Sequence, residues 1–226
     1  MELTPIAYIR TDFPEKFGIP RQSGLAGALR GRIVFEPEYR NADAFRGLEG
    51  FSHIWLIWGF SANRKGGWMP TVRPPRLGGN RHMGVFATRS PFRPNPLGLS
   101  CVEVEAVVND EVDGPVIYVK GADLMDGTPI YDIKPYIRYA DSRPEAVCGY
   151  VDELVEDRLE VVMPEEMKDR IGDKGILKAL QEVLSLDPRP SYHDDPQREY
   201  GISFGGYNVR FRVNEERLEV VSLSVQ

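Results

Sequence analysis

The chain has 226 residues, of which 42% are hydrophobic and 27% are charged, and its formal net charge is −6. These proportions are ordinary for a globular protein in water, and the length allows one large domain or two small ones without stabilising crosslinks. No apolar run reaches the roughly 20 residues of a membrane-spanning helix, so the composition argues against an integral membrane protein.

The N-terminus, MELTPIAYIRTDF, lacks the basic region, apolar stretch and cleavage site of an export signal, so we expect a cytoplasmic protein. Cys101 and Cys148 are the only cysteines, which gives neither a disulfide framework nor the ligand spacing of a zinc site. His53, His82 and His193 are isolated, so no metal is expected. The position of His53 inside an apolar run favours a buried histidine.

Residues 1–140 are predicted to form a mainly β domain. Short strand-like segments are separated by Gly and Pro, and a helical turn or two is expected only around 41–46. Short strands without long intervening helices are typical of a barrel or a sandwich rather than a doubly wound sheet. The predicted strands are 6–11, 31–35, 53–60, 83–88, 99–108, 116–120 and 130–139.

Residues 141–226 are predicted to form a smaller α+β domain, which begins with a polar linker over 141–150. A helical segment follows, with proline and acidic residues at its start and apolar residues at helical spacing, and Gly172 and Gly175 are expected to divide it into two helices. The predicted elements after the linker are helical residues 164–186, a strand over 200–213, a turn over 214–216 and a strand over 218–225.

Charge is distributed unevenly along the chain. No acidic residue lies between Glu49 and Glu103, whereas this interval holds seven basic residues, so its +7 leaves −13 for the remainder. Six of the seven are arginines, whose planar guanidinium binds phosphate through paired hydrogen bonds and stacks on bases. The interval therefore predicts a surface for an anionic ligand. The alternative is an acid-poor stretch whose arginines donate hydrogen bonds to loop carbonyl groups.

Three loop-like segments combine Gly and Pro with polar side chains, as binding sites often do. Segment 17–24 (FGIPRQSG) offers donors next to a proline, and its alternative interpretation is an ordinary turn. Segment 71–100 presents arginines from stiff, proline-rich loops, and its Asn95-Pro96 pair is similar to part of an NPP-type motif that holds adenine amino groups. Segment 121–136 places two carboxylates around an Asp-Gly turn, where they could bind hydroxyls, act as a base or cap the turn.

Several common enzyme signatures are missing from the sequence. No G-x-G-x-x-G, G-x-x-x-x-G-K-[ST] or G-x-S-x-G motif is present. A Rossmann, P-loop or serine-hydrolase site therefore has no support, and a nucleotide-like cofactor would need another kind of site.

Six segments together resemble the TrmO family, also called YaeB or TsaA-like proteins, over nearly the whole chain. They are, in order, FGIPRQSG, RGLEGFSHIWLIW, GGWMPTVRPPRLGGN, GVFATRSPFRPNPLGLS, DLMDGTPIYDIKPYI and DPRPSY. The resemblance implies an N-terminal β-barrel methyltransferase domain with a smaller C-terminal domain, acting as a homodimer. It also implies methylation by S-adenosylmethionine of the N6 nitrogen of N6-threonylcarbamoyladenosine, at position 37 beside the tRNA anticodon.

The resemblance further implies which residues surround the methyl donor. Some members carry a Gln-containing dipeptide after the residue equivalent to Phe60, whereas this chain has Ser61-Ala62, of which Ala62 can offer only its backbone. The implied cofactor-binding residues are Pro20, Arg21, Gln22, Ser61, Ala62, Arg89, Leu99, Asp123, Leu124, Met125 and Asp126.

Catalysis and tRNA contacts can then be assigned to side chains as hypotheses. The carbamoyl group makes the N6 proton more acidic and N6 less nucleophilic, so a base is expected, and Asp126 is the preferred candidate. Lys134 is expected to stabilise the threonyl carboxylate or developing charge. Residues expected to contact the anticodon arm or the substrate base are Arg73, Arg76, Arg93, Asn95 and Arg189.

Two other functions remain open at the level of the sequence. One is a β-barrel RNA-binding module without catalysis, which would use the same arginines with Trp68 and Phe92 as stacking platforms. The other is a barrel methyltransferase acting on a small metabolite, because residues 141–200 hold sixteen acidic residues against eight basic ones.

Overall fold

The computed structural model describes residues 2–63, 67–74, 77, 81–154, 158–190 and 195–226. Its first eight strands are β1 (Ala7–Thr11), β2 (Arg30–Phe35), β3 (His53–Gly59), β4 (Thr71–Val72), β5 (Met83–Gly84), β6 (Leu97–Asp110), β7 (Gly114–Lys120) and β8 (Thr128–Pro135). Six of them close into an antiparallel barrel in the order β1-β2-β7-β6-β3-β8, with β8 paired back to β1. The short strands β4 and β5 pair with each other outside the barrel.

The alternation of side chains along the strands explains why they close into a barrel. Ala7 and Ile9 of β1 are fully buried, as are Ile54 and Leu56 of β3, whereas Arg10, the residue after Ile9, is exposed. Successive side chains of a strand point to opposite faces, so each strand can contribute one apolar row to a common interior. The predicted mainly β fold with a barrel is confirmed.

The C-terminal part consists of a four-stranded sheet and helices. Its order is β10-β11-β12-β9, and β9 is parallel to β12. The strands are β9 (Glu160–Val162), β10 (Tyr200–Phe204), β11 (Tyr207–Asn214) and β12 (Arg217–Val225), and the helices are α2 (Glu165–Arg170) and α3 (Lys174–Ser185). The short helix α1 (Arg138–Asp141) follows β8 and is bonded to the barrel, since Nε1 of Trp55 donates to the Asp141 carboxylate over 3.1 Å. The buried face of α3, which includes Leu180 and Leu184, packs into the same core as the sheet, so this part is α+β as predicted.

The segment between β1 and β2 belongs to both parts of the molecule. Phe13, Ala26 and Leu29 come from this segment, yet they are buried in the core that is formed mainly by the C-terminal sheet and α3. The ring of Phe13 packs edge-on against Phe204 of β10, with ring centroids 5.0 Å apart. The C-terminal part therefore completes its core with residues from the N-terminal sequence.

Several predicted boundaries differ from the structure. The strand predicted over 83–88 is wrong beyond Gly84, because the N–H and hydroxyl of Thr88 both donate to the Val85 carbonyl and close a 3-10 turn over Val85–Ala87. The strand predicted over 130–139 ends at Pro135, because the Asp141 carboxylate accepts from the Ile137 N–H at the start of α1.

In the C-terminal part, the two-helix prediction is confirmed but one break is wrong. The helices separate around Gly172, whereas Gly175 lies inside α3, where its N–H donates to the Asp173 side chain that caps the helix. The strand predicted over 200–213 is two strands, since Gly205 and Gly206 turn the chain with φ of 56° and 82°. The short strand β9 was not predicted.

His53 is a further correction. It is the first residue of β3, lies at the rim of the barrel and is exposed, with its Nδ1 2.9 Å from the Ser52 hydroxyl. The apolar run does form a barrel strand, but its first side chain projects beyond the interior. Of the other predicted short elements, the turn at 41–46 is confirmed as a 3-10 helix, Ala42–Phe45.

Candidate active site

A cavity of about 420 Å³ opens at the end of the barrel where β3 and β7 end and β6 begins. Four separate parts of the sequence meet there: the segment between β1 and β2, the end of β3, the segment leading into β6, and the turn after β7. The structure brings ten of the residues implied as cofactor-binding to this cavity: Pro20, Arg21, Gln22, Ser61, Ala62, Arg89, Leu99, Asp123, Leu124 and Met125.

A glycine allows the cavity wall to form. Trp58 of β3 lies opposite Gly98 of β6, and both line the cavity. A Cβ placed on Gly98 would lie 2.2 Å from Cε2 of Trp58, far inside van der Waals contact. Because Gly98 has no side chain, the indole can lie against the backbone of β6.

A chain of hydrogen bonds leads from this tryptophan to the carboxylate of the cavity. Nε1 of Trp58 donates to Oγ of Ser100 over 2.9 Å, and that hydroxyl donates to Oδ1 of Asp123 over 2.6 Å. Ser100 is only 1% exposed. Strand pairing explains why these two residues meet. Glu103 of β6 lies opposite Lys120 of β7. Because the strands are antiparallel, the residue three before Glu103, Ser100, comes to face the residue three after Lys120, Asp123.

Asp123 is the only carboxylate among the described residues that line the cavity. Burial raises the pKa of its carboxyl above the ordinary value, although the Ser100 hydrogen bond and the Arg89 charge oppose this effect. A carboxylate with a raised pKa is a stronger proton acceptor than a solvated one. The cavity therefore contains one group suited to accept a proton or to bind a cation or hydroxyl.

The segment carrying Pro20, Arg21 and Gln22 is held against the barrel on one side. The side-chain oxygen of Gln22 accepts a hydrogen bond from the Arg89 guanidinium, and both residues line the cavity. The N–H of Gly24 donates to the Gly121 carbonyl over 2.8 Å. Arg89 therefore supports the cavity wall as well as adding positive charge beside Asp123.

The C-terminal part holds the same segment from the other side. Glu182 of α3 accepts the Ala28 N–H over 2.8 Å, and the Arg158 guanidinium donates to the Leu25 carbonyl over 2.8 Å. A backbone N–H bonded to a carboxylate forms a charge-assisted hydrogen bond, which is stronger than a neutral one. The cavity segment is therefore fixed between two domains.

The two residues predicted to be catalytic lie outside the cavity lining. The Asp126 carboxylate accepts the Thr11 N–H over 3.1 Å and pairs with Arg10 over 3.5 Å. Lys134, on β8, pairs with Asp132 over 2.9 Å. The structure does not bring either side chain together with Asp123, so the assignment of the base to Asp126 has no geometric support.

The residues predicted to contact tRNA occupy different environments. Arg93 lines the cavity, but it donates to the Val85 and Thr88 carbonyls over 3.2 and 2.6 Å. This agrees with the alternative interpretation of the interval between Glu49 and Glu103, in which its arginines donate hydrogen bonds to loop carbonyl groups. Arg73 is exposed, and its Nε donates to His82 over 3.0 Å. Arg76 lies outside the described residues.

The other two predicted substrate contacts do not line the cavity. The Asn95 side chain is exposed, and the backbone carbonyl of this residue accepts the Leu97 N–H over 2.8 Å in the turn before β6. Arg189 lies after α3 and is half enclosed, with Nε and a terminal nitrogen each 2.9 Å from the Asp187 carboxylate.

Sequence reasoning missed Lys16, Trp58 and Ser100. Trp58 and Lys16 line the cavity, whereas Ser100 acts through its bonds to Trp58 and Asp123. A signal for Ser100 was present: it shares the inward-facing row of β6 with Val102, and a polar residue at a buried position needs a hydrogen-bond partner.

Within the described ranges, no helix is both long enough and apolar enough to cross a membrane. No group of three or more His, Cys, Asp or Glu side chains in those ranges is placed to hold a metal ion.

Comparison with family models gives two matches that together span most of the chain. Residues 8–142 match the model of the tRNA-methyltransferase O N-terminal domain, and residues 156–226 match that of the TrmO C-terminal domain. The junction between the two models falls in the polar region after β8.

Comparison with individual proteins agrees with the models. The tRNA (adenine(37)-N6)-methyltransferase of Escherichia coli K12 is 42% identical over 225 residues, covering 96% of this chain and 95% of that protein. A protein of Pseudomonas aeruginosa named as a candidate S-adenosylmethionine-dependent methyltransferase is 38% identical and covers 92% of this chain and 91% of itself. A crystal structure of TrmO from Pseudomonas aeruginosa superimposes with a TM-score of 0.79 at 31% identity, covering 99% of this chain and 98% of that one.

Proposed function

We propose that this chain, which belongs to the TrmO family and is therefore a tRNA methyltransferase, methylates N6 of N6-threonylcarbamoyladenosine at tRNA position 37. S-adenosylmethionine is the proposed methyl donor. The observation that carries the proposal is the cavity at the end of the barrel, where ten residues implied as donor-binding meet although they come from distant parts of the sequence.

The cavity suits the proposed donor in size and chemistry. Its volume of about 420 Å³ lies within the range of roughly 300–1,000 Å³ that is usual for small-molecule sites. S-adenosylmethionine supplies an electrophilic methyl group on a positively charged sulfur. Arg21 or Arg89 offers a cation for its amino-acid carboxylate, Asp123 offers a carboxylate for its positive charge or hydroxyls, and Leu99 offers an apolar surface for adenine.

Asp123 replaces Asp126 as the proposed proton acceptor for N6. Asp123 lines the cavity, whereas Asp126 is hydrogen-bonded to Thr11 outside the lining. Proton transfer requires the acceptor within hydrogen-bonding reach of N6, so position takes precedence over residue type. Ser100 and Trp58 would orient Asp123, and the fixed segment around Gln22 would orient the donor.

The anticodon arm of tRNA is the proposed macromolecular substrate, and a homodimer in the cytoplasm is the proposed working form. The positive charge of the acid-free interval supports RNA binding. Among the described arginines predicted to contact tRNA, Arg73 has an exposed side chain outside the cavity. Arg93 and Arg189 are engaged with carbonyl groups and a carboxylate, so they are proposed to shape the surface more than to bind phosphate.

The test uses labelled S-adenosylmethionine and two tRNA preparations, one carrying N6-threonylcarbamoyladenosine without the methyl group and one carrying unmodified adenosine. Nucleosides from both are then identified by mass spectrometry. We expect methylated threonylcarbamoyladenosine only from the first preparation. Methylation of unmodified adenosine would contradict the proposed substrate, and saturable RNA binding without any binding of the donor would favour the RNA-binding module.

A further inference from the structure

Phe86 is an unusually exposed aromatic residue on a firmly anchored turn. It occupies the middle of the 3-10 helix Val85–Ala87 and is 71% exposed. Val85 beside it is only 1% exposed, and its N–H donates to the Pro70 carbonyl over 3.0 Å. The backbone below the ring is therefore fixed, while the ring itself projects into solvent.

Arg93 links this ring to the cavity. Its guanidinium carbon lies 5.7 Å from the centroid of Phe86, and the same guanidinium donates to the Val85 and Thr88 carbonyls. Arg93 also lines the cavity. Phe86 and Arg93 thus form a fixed aromatic and cationic pair at the edge of the cavity.

The segment beside the pair carries further exposed apolar side chains. Trp68 and Met69 are 56% and 48% exposed, and the Met69 N–H donates to the Phe92 carbonyl over 3.0 Å, which places their segment beside the pair. All of these residues lie in the interval without Asp or Glu. Exposed aromatic side chains next to cations are the features with which proteins bind single-stranded nucleic acid.

We propose that Phe86, backed by Arg93, is a stacking platform for an unpaired nucleobase of the RNA substrate next to the nucleotide that enters the cavity. This inference rests on the proposed function. A nucleotide that enters an enclosed site leaves its own stack, so the neighbouring base loses a stacking partner. An aromatic ring fixed at the cavity edge replaces that partner without reading the base sequence, since every base has a π-face.

The first test compares Phe86→Ala with Phe86→Trp, using Tyr139→Ala as the matched control. Tyr139 is also a highly exposed aromatic, at 87%, but it follows β8 near the start of β3, about 20 Å from the cavity end of that strand. We expect Phe86→Ala to weaken tRNA affinity by roughly 5- to 100-fold at fixed salt. Phe86→Trp should keep the affinity, as should Tyr139→Ala, and the affinity for S-adenosylmethionine should not change in any of them.

A second test asks whether the ring meets a base. Anticodon stem-loops with an abasic nucleotide immediately 5′ or 3′ of residue 37 are titrated against the wild type and Phe86→Ala. One of the two abasic positions should weaken binding to the wild type and leave binding to Phe86→Ala unaltered, because the partner of the missing base is already absent. Equal losses for both proteins at both positions would overturn the proposal.

The remaining explanation for the exposed ring is contact with a second copy of the chain, and the oligomeric state tests it. If Phe86→Ala changes the mass of the protein measured by light scattering, the ring covers a second copy of the chain, and the stacking proposal is wrong. Failure of the platform is distinguishable from failure of the proposed function, since the wild type would then still methylate tRNA, and Phe86→Ala would do so with an unchanged KM.

Discussion

The hydroxyl of Ser100 lies 2.6 Å from Oδ1 of Asp123 and is itself hydrogen-bonded by the indole of Trp58. A fully buried strand residue thus bonds to the one carboxylate found in the described cavity lining.

Ser100→Ala should move the acidic limb of the pH–rate profile to higher pH. The hydrogen bond from Ser100 favours the charged form of Asp123 and so lowers its pKa, against the dominant raising effect of burial. Without the hydroxyl the pKa of Asp123 rises further. When the pH is lowered, its carboxylate is therefore protonated, and lost as a base, at a higher pH than in the wild type. Single-turnover rates measured across pH test this.

Ser222→Ala is the matched control for that experiment, because Ser222 is an exposed serine on β12. Its profile should coincide with that of the wild type. If the Ser100→Ala profile also coincides, Asp123 is not the group that titrates in the reaction.

Asp123→Asn and Asp126→Asn should have opposite phenotypes. The first should lower kcat by roughly 100-fold or more, as loss of a general base does. The second should retain turnover but lower the free energy of unfolding by about 1–2 kcal/mol, because the Thr11 N–H loses a charged acceptor. Parallel measurement of kcat and of urea unfolding distinguishes them, and a larger kcat loss in Asp126→Asn would restore Asp126 as the base.

Gly98→Ala should destabilise the protein strongly, because the new methyl group would overlap the Trp58 ring. Overpacking of this kind costs about 1–3 kcal/mol, and a clash with a rigid aromatic ring belongs at the upper end. Gly201→Ala in β10 is the control, since a Cβ there meets nothing within 4 Å. Thermal unfolding should show a large fall in Tm for the first variant and little change for the second.

Glu182→Ala should weaken donor binding although Glu182 lies in the C-terminal domain. The variant removes the acceptor of the Ala28 N–H, which helps to fix the segment that lines the cavity. A loss of about 1 kcal/mol corresponds to roughly a fivefold weaker Kd for S-adenosylmethionine. Glu182→Gln keeps an acceptor oxygen and should recover much of the affinity, as calorimetric titration can establish.

The barrel could be predicted well because its strands follow local patterns. Alternating apolar residues bounded by Gly and Pro located β1, β2, β3, β6 and β7 to within a few residues of their observed ends. The turn at Val85–Ala87 could not be predicted in this way, because its apolar sequence is compatible with a strand. Its conformation depends on hydrogen bonds between Val85, Thr88 and Pro70 that only the tertiary structure specifies.

The sequence indicated ten residues that the structure brings to one cavity, but it does not distinguish the two candidate carboxylates. Asp123 and Asp126 are three residues apart around a turn, and from the sequence they are equivalent. In the structure Asp126 lies in the turn with Gly127, whose φ is 73°, and bonds to β1, whereas Asp123 precedes that turn and lines the cavity. Distinguishing them required the register between β6 and β7, which a single sequence does not reveal.

The segment between β1 and β2 has a thermodynamic consequence. This segment is packed into the C-terminal core and also lines the cavity. The free energy of binding of the proposed donor should therefore be linked to the unfolding equilibrium of the C-terminal part. The two domains should then melt in a single transition. A saturating donor should slow hydrogen exchange in α3 and β10 as well as in the barrel.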